Sequence, residues 1–492
     1  MSMIIIFLIS RLLYANMPVN NYIDTVTIVR PALTNRTGPV YKAIANALAD
    51  AILQGHIEQG MKLPPLRIFA DELSVTVGTI NRAYSEVERL GLVSSRVGDG
   101  TYVSQSMGNG EGIQFENTAP DKPGVIDLTR NTHIPGEDLE MLSRTLAVLS
   151  RDRRKLVSIN EYLPDTGRPH HRLAGAKWLR YSGLEIDPEQ VVVTNGAQHA
   201  LLCTMIAALQ VDDLVVAEQL SYPGLVAATR ALGLRLKGLP MDEQGLLPAA
   251  VEETCRQQKV SALYCTPTLQ NPTTAVMSAE RKQQIAEICR KHNVLIIEDD
   301  AHGVLTDNHP PAFAEYVPER AVLISSLSKA VSAGLRVGFI ATPKYLLPRI
   351  AGAIRTSSWM ATPLTTEIGT GWILDDTAIR LREQQRKEVR RRKALVAPLL
   401  SNLDVRTHDD CCHYWISLPE IWRASVFVML LEEQDVLVKS AEAFAVGKAP
   451  APQCIRVSVS GVATDEELYS GFRKLVDNLL TGPHRSLGSM AG

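Results

Sequence analysis

The sequence predicts an α/β protein in which a small helical domain with a β-hairpin precedes a larger domain built on a mostly parallel sheet. Residues 36–104 carry three short amphipathic helical patterns followed by two strand-like runs. From about residue 125 onward, short continuous apolar runs alternate with helix-length amphipathic stretches. This alternation is typical of parallel strands buried on both faces. The chain of 492 residues is also too long for one compact core.

Charge and cysteine content limit the classes of function. The chain carries 51 Lys and Arg against 53 Asp and Glu, a formal net charge of −2, so any surface that attracts nucleic acid must be local. The seven cysteines form no CxxC pair and follow no metal-ligand spacing, which favours a reducing compartment. We therefore expect a cytoplasmic protein that has no membrane segment and binds no metal.

The N-terminus contains an apolar run, residues 3–9, that is followed by Arg11. A signal peptide carries its positive charges before the apolar run and small residues at a cleavage site, and neither feature is present here. The run is also too short to span a bilayer. We expect residues 1–30 to be a disordered extension, or translation to begin at Met17, and we exclude them from the fold.

Three apolar stripes predict the helices of the small domain. Apolar residues recur at four-residue steps from Val40 to Ile52, prolines open the second helix, and Gly91 ends the third. The positions expected to be buried are Val40, Ile44, Leu48, Ile52, Leu66, Phe69, Ala70, Leu73, Ile80, Ala83, Tyr84 and Val87. Runs at 92–96 and 101–103 flank a glycine turn and predict a hairpin. This order outlines a winged helix-turn-helix, whose third helix enters a major groove of DNA.

The same region resembles the GntR type of winged helix. The resemblance is carried by the segments Leu63–Arg67, Thr79–Tyr84 and Gly98–Val103. The residues that it implies in DNA binding are Arg67, Thr76 and Thr79 at phosphates, Asn81 and Arg82 in the groove, and Gly98 and Gly100 at the wing tip.

The charge of this domain gives little electrostatic support to DNA binding. Residues 36–105 contain seven Lys or Arg and seven Asp or Glu, whereas DNA-binding surfaces are usually basic. Val77 and Gly78 also stand where many relatives carry polar, groove-reading side chains. We therefore expect affinity to depend on dimerisation or on the larger domain. The polar stretch 105–124 is expected to be a flexible linker between the two.

Six apolar runs predict the strands of the large domain: residues 191–193, 214–217, 262–264, 294–297, 322–324 and 339–341. Ligands of such sheets gather outside the carboxyl ends of the strands. Lys329 follows one of these runs, with Ser326 and Ser328 beside it and Arg336 seven residues later. A lysine amine condenses with a carbonyl, while an arginine fork and short hydroxyls hold a phosphate. Together they suit pyridoxal phosphate.

This segment resembles the lysine motif of fold-type I, class I aminotransferases, and the resemblance extends over about residues 125–480. Together with the GntR-like segment it matches the pattern of the MocR subfamily of bacterial regulators. The resemblance implies a Schiff base at Lys329, with an arginine, Arg456, that clamps a substrate or effector carboxylate. The other cofactor contacts that it implies are phosphate from the backbone of Ala197 and Gln198, stacking by Tyr222, the phenolate from Asn271 and His302, the ring nitrogen from Asp299, and phosphate across a dimer interface from Tyr162.

Two features have more than one interpretation. The acidic triplet Glu298–Asp300 could be a metal site, a solvated turn or one buried aspartate, and no matching ligand cluster supports a metal. Eight basic residues between Arg380 and Lys393 form either a solvated helix face, which we favour, or an auxiliary DNA-contacting patch. His302 stands where aminotransferases commonly carry tyrosine, which leaves transamination open.

Two functions from different classes follow. We favour a homodimeric, head-to-tail transcription regulator that reads paired half-sites of double-stranded DNA. Its aminotransferase-like domain would sense pyridoxal phosphate itself, or an amino acid or amine effector. The alternative is an active aminotransferase with an appended DNA-binding domain, because Lys329, Asp299, Arg336 and Arg456 keep catalysis possible.

Overall fold

The chain divides into two units, Met1–Gln114 and Phe115–Gly492. The computed structural model describes residues 22–30, 39–53, 56–57, 60–89, 92–96, 100–103, 124–447 and 451–482. Within these ranges, no helix is both long enough and apolar enough to cross a bilayer. The extension predicted at residues 1–21, nearly all of the predicted linker and the wing-tip Gly98 lie outside the described residues.

The first unit contains the predicted helices and hairpin. Its elements are α1 (Tyr22–Val29), α2 (Val40–Leu53), α3 (Leu66–Leu73), α4 (Val77–Arg89), β1 (Val93–Arg96) and β2 (Gly100–Val103). The predicted apolar stripes of α2, α3 and α4 are buried, except that Val40 and Leu66 are half-buried. β1 pairs antiparallel with β2. Leu63 donates to the Thr101 carbonyl over 2.8 Å, so the segment that precedes α3 extends this small sheet.

The exclusion of residues 1–30 from the fold was wrong for residues 22–30. Helix α1 buries Val26 and Val29 in the core of the first unit, and Arg30 donates to the Glu72 carbonyl over 2.7 Å. The β-branched residues of α1 have low helix propensity. Its helical form therefore depends on burial against the rest of the unit, which the local sequence does not reveal.

The second unit contains two sheets and thirteen α-helices in its described residues. The helices are α5 (Asp138–Leu149), α6 (Arg153–Ile159), α7 (Pro169–Leu179), α8 (Ala197–Ala208), α9 (Pro223–Ala231), α10 (Pro248–Gln257), α11 (Ala279–His292), α12 (Phe313–Tyr316), α13 (Leu347–Ser358), α14 (Pro363–Leu374), α15 (Thr377–Leu400), α16 (Ala424–Glu433) and α17 (Asp465–Thr481). The strands are β3 (Ile126–Asp127), β4 (Val191–Thr194), β5 (Leu214–Glu218), β6 (Arg235–Leu239), β7 (Met241–Asp242), β8 (Gly245–Leu246), β9 (Ala262–Cys265), β10 (Leu295–Asp299), β11 (Ala321–Ser326), β12 (Gly338–Ala341), β13 (Val405–Arg406), β14 (His413–Ser417), β15 (Val436–Leu437), β16 (Lys439–Ser440) and β17 (Cys454–Ser458).

The large sheet has seven strands in the order β4-β12-β11-β10-β9-β5-β6. All pairings are parallel except those of β12, which runs antiparallel to both β11 and β4. The mostly parallel sheet and its six predicted strands are confirmed. The seventh strand, β6, was missed because this edge strand buries only Leu239 fully and has no continuous apolar run.

The small sheet orders its four antiparallel strands as β13-β14-β17-β16. Helices α16 and α17 contribute Phe427 and Phe472 to the core on one side of it. The 24-residue helix α15 bridges the two sheets: Leu381 lies in the core of the large sheet and Val396 in that of the small one. The site described next lies between these two sheets.

Candidate functional site

Lys329 lies three residues after the end of β11, at the edge of the large sheet where the parallel strands end. Its Nζ donates a hydrogen bond to the Asn131 carbonyl, and its side chain is half-buried. Leu327 donates to the Val337 carbonyl over 3.0 Å, which closes the loop that carries both Lys329 and Arg336. The amine is thereby held against a segment that lies almost two hundred residues earlier in the chain.

A cluster of donors suited to an anion lies beside this loop. Gly196 is the N-cap of α8 and has φ +84°, and a Cβ at this position would lie 2.6 Å from Arg336 Nη2. Glycine therefore allows the guanidinium to lie against the helix N-terminus, where the N–H groups of Ala197 and Gln198 have no intrahelical acceptor. Arg336 also donates to Ser328 Oγ over 3.2 Å. We call Gly196, Ala197, Gln198, Ser328 and Arg336 the anion cup.

Two further predicted residues border the anion cup. Ser326 ends β11, and its Oγ accepts from the Ser328 backbone N–H over 3.4 Å. Tyr222 is the N-cap of α9, and Gln198 Nε2 donates to the Gly224 carbonyl over 3.2 Å. A Cβ at Gly224 would overlap the Tyr222 ring, so this glycine allows the ring to lie close to α9.

Asp299 is the last residue of β10 and is almost fully buried. Its carboxylate accepts from the Tyr264 hydroxyl over 2.8 Å and from the Ala301 N–H over 3.0 Å. Burial raises the pKa of Asp299, and the hydrogen bond from Tyr264 opposes that shift. A cationic ring nitrogen facing this carboxylate would stabilise its ionised form.

Glu218, at the end of β5, was missed as a site residue because the sequence analysis read it only as the end of a strand. It is fully buried, and its carboxyl accepts from the Thr266 N–H over 2.8 Å and from the Ser221 hydroxyl over 3.3 Å. Burial raises the pKa of Glu218 to about 7, and the nearby Asp299 adds to that shift. An acidic residue at the end of an apolar strand was the available signal.

His302 contributes a buried imidazole to the site. Its Nδ1 has no hydrogen-bond partner among the described residues. Burial, with smaller contributions from Lys329 and Arg456, lowers the pKa of His302 well below its ordinary value. The ring is therefore neutral, and Nδ1 can donate to or accept from a bound group.

His413 was not predicted as a site residue, yet its ring lies edge-on to that of His302, with centroids 6.3 Å apart. Its Nδ1 accepts from Asn131 Nδ2 over 2.7 Å, and its Nε2 donates to the Pro272 carbonyl over 3.0 Å. Burial lowers the pKa of His413 well below its usual value. This neutral ring joins three distant segments, and nothing in the local sequence marks that role.

Arg456 and Asn271 are brought together although they are 185 residues apart. Arg456 is fully buried on β17; its Nη1 donates to Asn271 Oδ1 over 2.8 Å and its Nη2 to the Thr129 carbonyl. The guanidinium lies over the Phe444 ring, 4.9 Å from its centroid. A buried arginine held in this way offers a planar fork that suits a carboxylate.

Tyr162 does not join these residues within one chain. Its side chain is 77 % exposed, and its ring centroid lies 5.9 Å from that of Trp359, which is 52 % exposed. The prediction that Tyr162 reaches a phosphate across a dimer interface stays a prediction.

In the first unit, Arg67, Thr76, Asn81 and Arg82 are exposed, and Thr79 is half-buried. Thr79 N–H donates to Thr76 Oγ1 over 3.2 Å, and the two hydroxyls are 2.9 Å apart. Thr76 therefore caps the N-terminus of α4. Gly100 begins β2.

The basic run on α15 is only partly the solvated face that we favoured. Arg382, Arg386, Arg392 and Lys393 are buried, and each donates to carbonyl, hydroxyl or carboxylate oxygens of neighbouring loops. Those donors include Arg382 to the Thr306 carbonyl, Arg386 to Asp410, Arg392 to the Val462 carbonyl and Lys393 to Thr407. Half of the run is therefore structural and unable to contact DNA.

One group of side chains has metal-ligand chemistry: His170, His171 and Glu367. The two Nε2 atoms lie 3.0 and 3.1 Å from the same Glu367 Oε2. His171 Nδ1 accepts from the Arg168 N–H over 3.3 Å, so its proton lies on Nε2 and no lone pair there faces a metal. The hydrogen bond from His171 lowers the pKa of Glu367 to about 2. The cluster fits a cap of α7 better than a metal centre.

Comparison with known proteins matches both units. Residues 125–474 match the family model of aminotransferases of class I and II, and residues 40–103 match that of bacterial regulatory proteins of the gntR family. The HTH-type transcriptional regulator YdeF of Bacillus subtilis strain 168 is 30 % identical over 471 residues, which cover 94 % of this chain and 100 % of YdeF. The probable rhizopine catabolism regulatory protein MocR of Rhizobium meliloti is 26 % identical over 73 % of this chain and 77 % of its own.

Solved structures resemble the second unit. An archaeal alanine:glyoxylate aminotransferase has a TM-score of 0.66 and 25 % identity over 72 % of this chain and 90 % of its own. The α-aminoadipate aminotransferase LysN of Thermus thermophilus, complexed with N-(5'-phosphopyridoxyl)-L-leucine, has a TM-score of 0.67 and 22 % identity over 75 % and 96 %. The second of these likenesses shows the fold alone.

Proposed function

Because the chain belongs to the GntR-type transcription regulators that carry a class I and II aminotransferase domain, the MocR subfamily, we propose that pyridoxal phosphate and an amino compound control its DNA binding. The proposal rests on one observation. Lys329, the anion cup, Asp299 and Arg456 meet at one edge of the large sheet, although the chain brings them from five separate segments.

The residues of the site fit the cofactor. The anion cup would hold the phosphate, Asp299 would face the ring nitrogen, and Asn271 with the free Nδ1 of His302 would face the phenolate. When bound, pyridoxal phosphate supplies an electrophilic aldehyde carbon and an electron-withdrawing ring. Lys329 lies within the same site to react with that carbon, and its bond to the Asn131 carbonyl must open when it does so.

The effector that suits the site is an amino acid. Arg456 is fixed by Asn271 and Thr129 on one side and by the Phe444 ring beneath it, so its fork is already oriented for a carboxylate. An amine on the same molecule would compete with Lys329. The segment that contains Thr129 and Asn131 contacts both Arg456 and Lys329, and we infer that it carries the effect of the ligand away from the site.

The active form is proposed to be a head-to-tail homodimer that reads paired half-sites. Exposed apolar side chains on α5, α6 and the segment around Trp359 support this assembly: Leu139, Leu146, Val148, Leu156, Val157, Tyr162 and Trp359. An uncovered apolar area of this kind marks an interaction surface. A cytoplasmic location follows from the role in gene regulation.

A second candidate function is transamination. It is supported by the joint presence of Lys329, Asp299, Arg336 and Arg456 around one site. The neutral His302 in the place of a tyrosine distinguishes this site from that of the aminotransferases, so we expect turnover with common amino acids and oxoacids to be slow.

The lysine variant Lys329→Ala tests the proposal, with the exposed Lys344→Ala as its control. We expect Lys329→Ala alone to abolish the visible absorbance of lysine-bound cofactor and the response of DNA binding to an amino acid. Equal absorbance in both variants would eliminate Lys329. Rapid turnover by wild-type protein that retains no DNA from a random-sequence duplex library would favour the enzyme.

A further inference from the structure

The outward face of α4 consists of four exposed residues, Val77, Gly78, Asn81 and Arg82, which we call the α4 outer face. Val77 is the first residue of the helix, and 42 % of its side chain is exposed. The opposite face of the helix supplies the buried apolar stripe to the core of the unit. An apolar side chain at this place on a helix that otherwise presents polar groups outward needs an explanation.

The first turn of α4 presents no other base-reading group. The hydroxyls of Thr76 and Thr79 lie 2.9 Å from each other, and Thr76 Oγ1 caps the helix. A Cβ at Gly78 would meet only Thr76 Oγ1, at 3.8 Å, so core packing does not require glycine there. The effect of Gly78 is to keep the surface low beside Val77, which allows the helix to approach the floor of a groove closely.

The major groove of DNA offers one apolar group to such a surface, the C5-methyl of thymine. An asparagine pairs in the same groove with N6 and N7 of adenine. Val77 and Asn81 are four residues apart and share one side of the helix. Their separation along the helix axis is about 6 Å, within two steps of about 3.4 Å between base pairs.

We propose that Val77 contacts the methyl group of a thymine and that Asn81 reads an adenine within two base pairs of it. The half-site then carries A·T pairs where α4 enters the groove. This inference rests on the proposed function, because it requires that the first unit binds DNA. It adds the base preference and the residue that sets it.

The test uses the full-length protein and a random-sequence duplex library to obtain the bound half-site. Each thymine of that half-site is then replaced in turn by uracil, which removes only the methyl group. We expect one replacement to weaken wild-type binding about threefold to fivefold, the factor for burial of about one methyl group. Val77→Ala should lose a similar factor on the thymine duplex and become insensitive to uracil at that position.

Ile68→Ala is the matched control, since Ile68 is an apolar residue on α3 with 47 % exposure; it should keep the wild-type preference for thymine over uracil. The inference is overturned if uracil has no effect at any position of a duplex that the protein binds, or if Val77→Ala keeps the preference. Failure to enrich any duplex would instead contradict the proposed function, and this inference with it.

Discussion

Lys282 and Glu298 form an ion pair inside the second unit, next to the acidic end of β10. Their Nζ and Oε1 atoms are 2.7 Å apart, and both side chains are fully buried. Glu298 also accepts from the Phe313 N–H over 2.7 Å. We predict that Lys282→Met lowers the free energy of unfolding by about 3–5 kcal/mol, because it leaves a carboxylate buried without its cation.

Urea denaturation at neutral pH would measure this loss. The double variant Lys282→Met, Glu298→Gln removes both charges and should regain much of it. A Lys282→Met protein as stable as the wild type would show that the pair contributes no net stability.

His309 is expected to make stability depend on pH. Its two ring nitrogens face acceptors, Asp300 Oδ1 at 2.7 Å and the Pro310 carbonyl at 2.6 Å. Burial alone would lower the pKa of His309, but the charge of Asp300 and its hydrogen bond outweigh burial and raise that pKa above its ordinary value. The charged imidazole therefore stabilises the fold fully below pH about 6.5, and this contribution is lost as pH rises through the folded-state pKa.

Wild-type protein should accordingly lose unfolding free energy as pH rises above about 6.5. His309→Gln should remove this part of the pH dependence, while His56→Gln, at an exposed histidine of the first unit, should retain it. Denaturation series at several pH values provide the measurement. Identical pH profiles for wild type and His309→Gln would contradict the assignment of the proton.

At the scale of elements, α15 connects two loops that carry site histidines. Arg382 donates to the Val304 and Thr306 carbonyls, just after His302. Arg386 pairs with Asp307 at 2.5 Å and with Asp410, three residues before His413, at 3.3 Å. The helix thereby fixes the separation of the two loops.

We predict that Arg386→Gln lowers the unfolding free energy by about 1–3 kcal/mol, because it leaves the buried Asp410 with fewer donors. Arg390 also pairs with Asp410, at 2.7 Å, but its side chain is 52 % exposed. Arg390→Gln should therefore cost less than about 1 kcal/mol. Equal losses for the two variants in urea denaturation would count against a special role for the buried arginine.

Local sequence patterns predicted the elements that depend on local chemistry. The apolar runs of β10, β11 and β12 gave these strands to within one or two residues, because both faces of each strand are buried. The small sheet was missed because β13 and β16 contain two residues each, too few for a pattern. Glycine, serine and lysine motifs located the anion cup, whereas Asn131 and His413 meet across 282 residues and have no local signature.

At the scale of the whole molecule, the division into two units has a measurable consequence. A ligand of the second unit stabilises that unit by mass action, by about 2.7 kcal/mol at a hundred times its dissociation constant. We predict two calorimetric transitions, of which pyridoxal phosphate raises only the one with the larger enthalpy. A single transition that shifts as a whole would indicate that the two units unfold together.

The loop between β11 and β12 carries both Lys329 and Arg336, and the bond from Leu327 to Val337 closes it at its base. Mutation of the lysine would leave that closure, the arginine and Gly196 in place. A descendant gene could therefore abandon covalent capture and still retain the vitamin reversibly by its phosphate. Inheritance can thus separate reactivity from retention by changing a single codon.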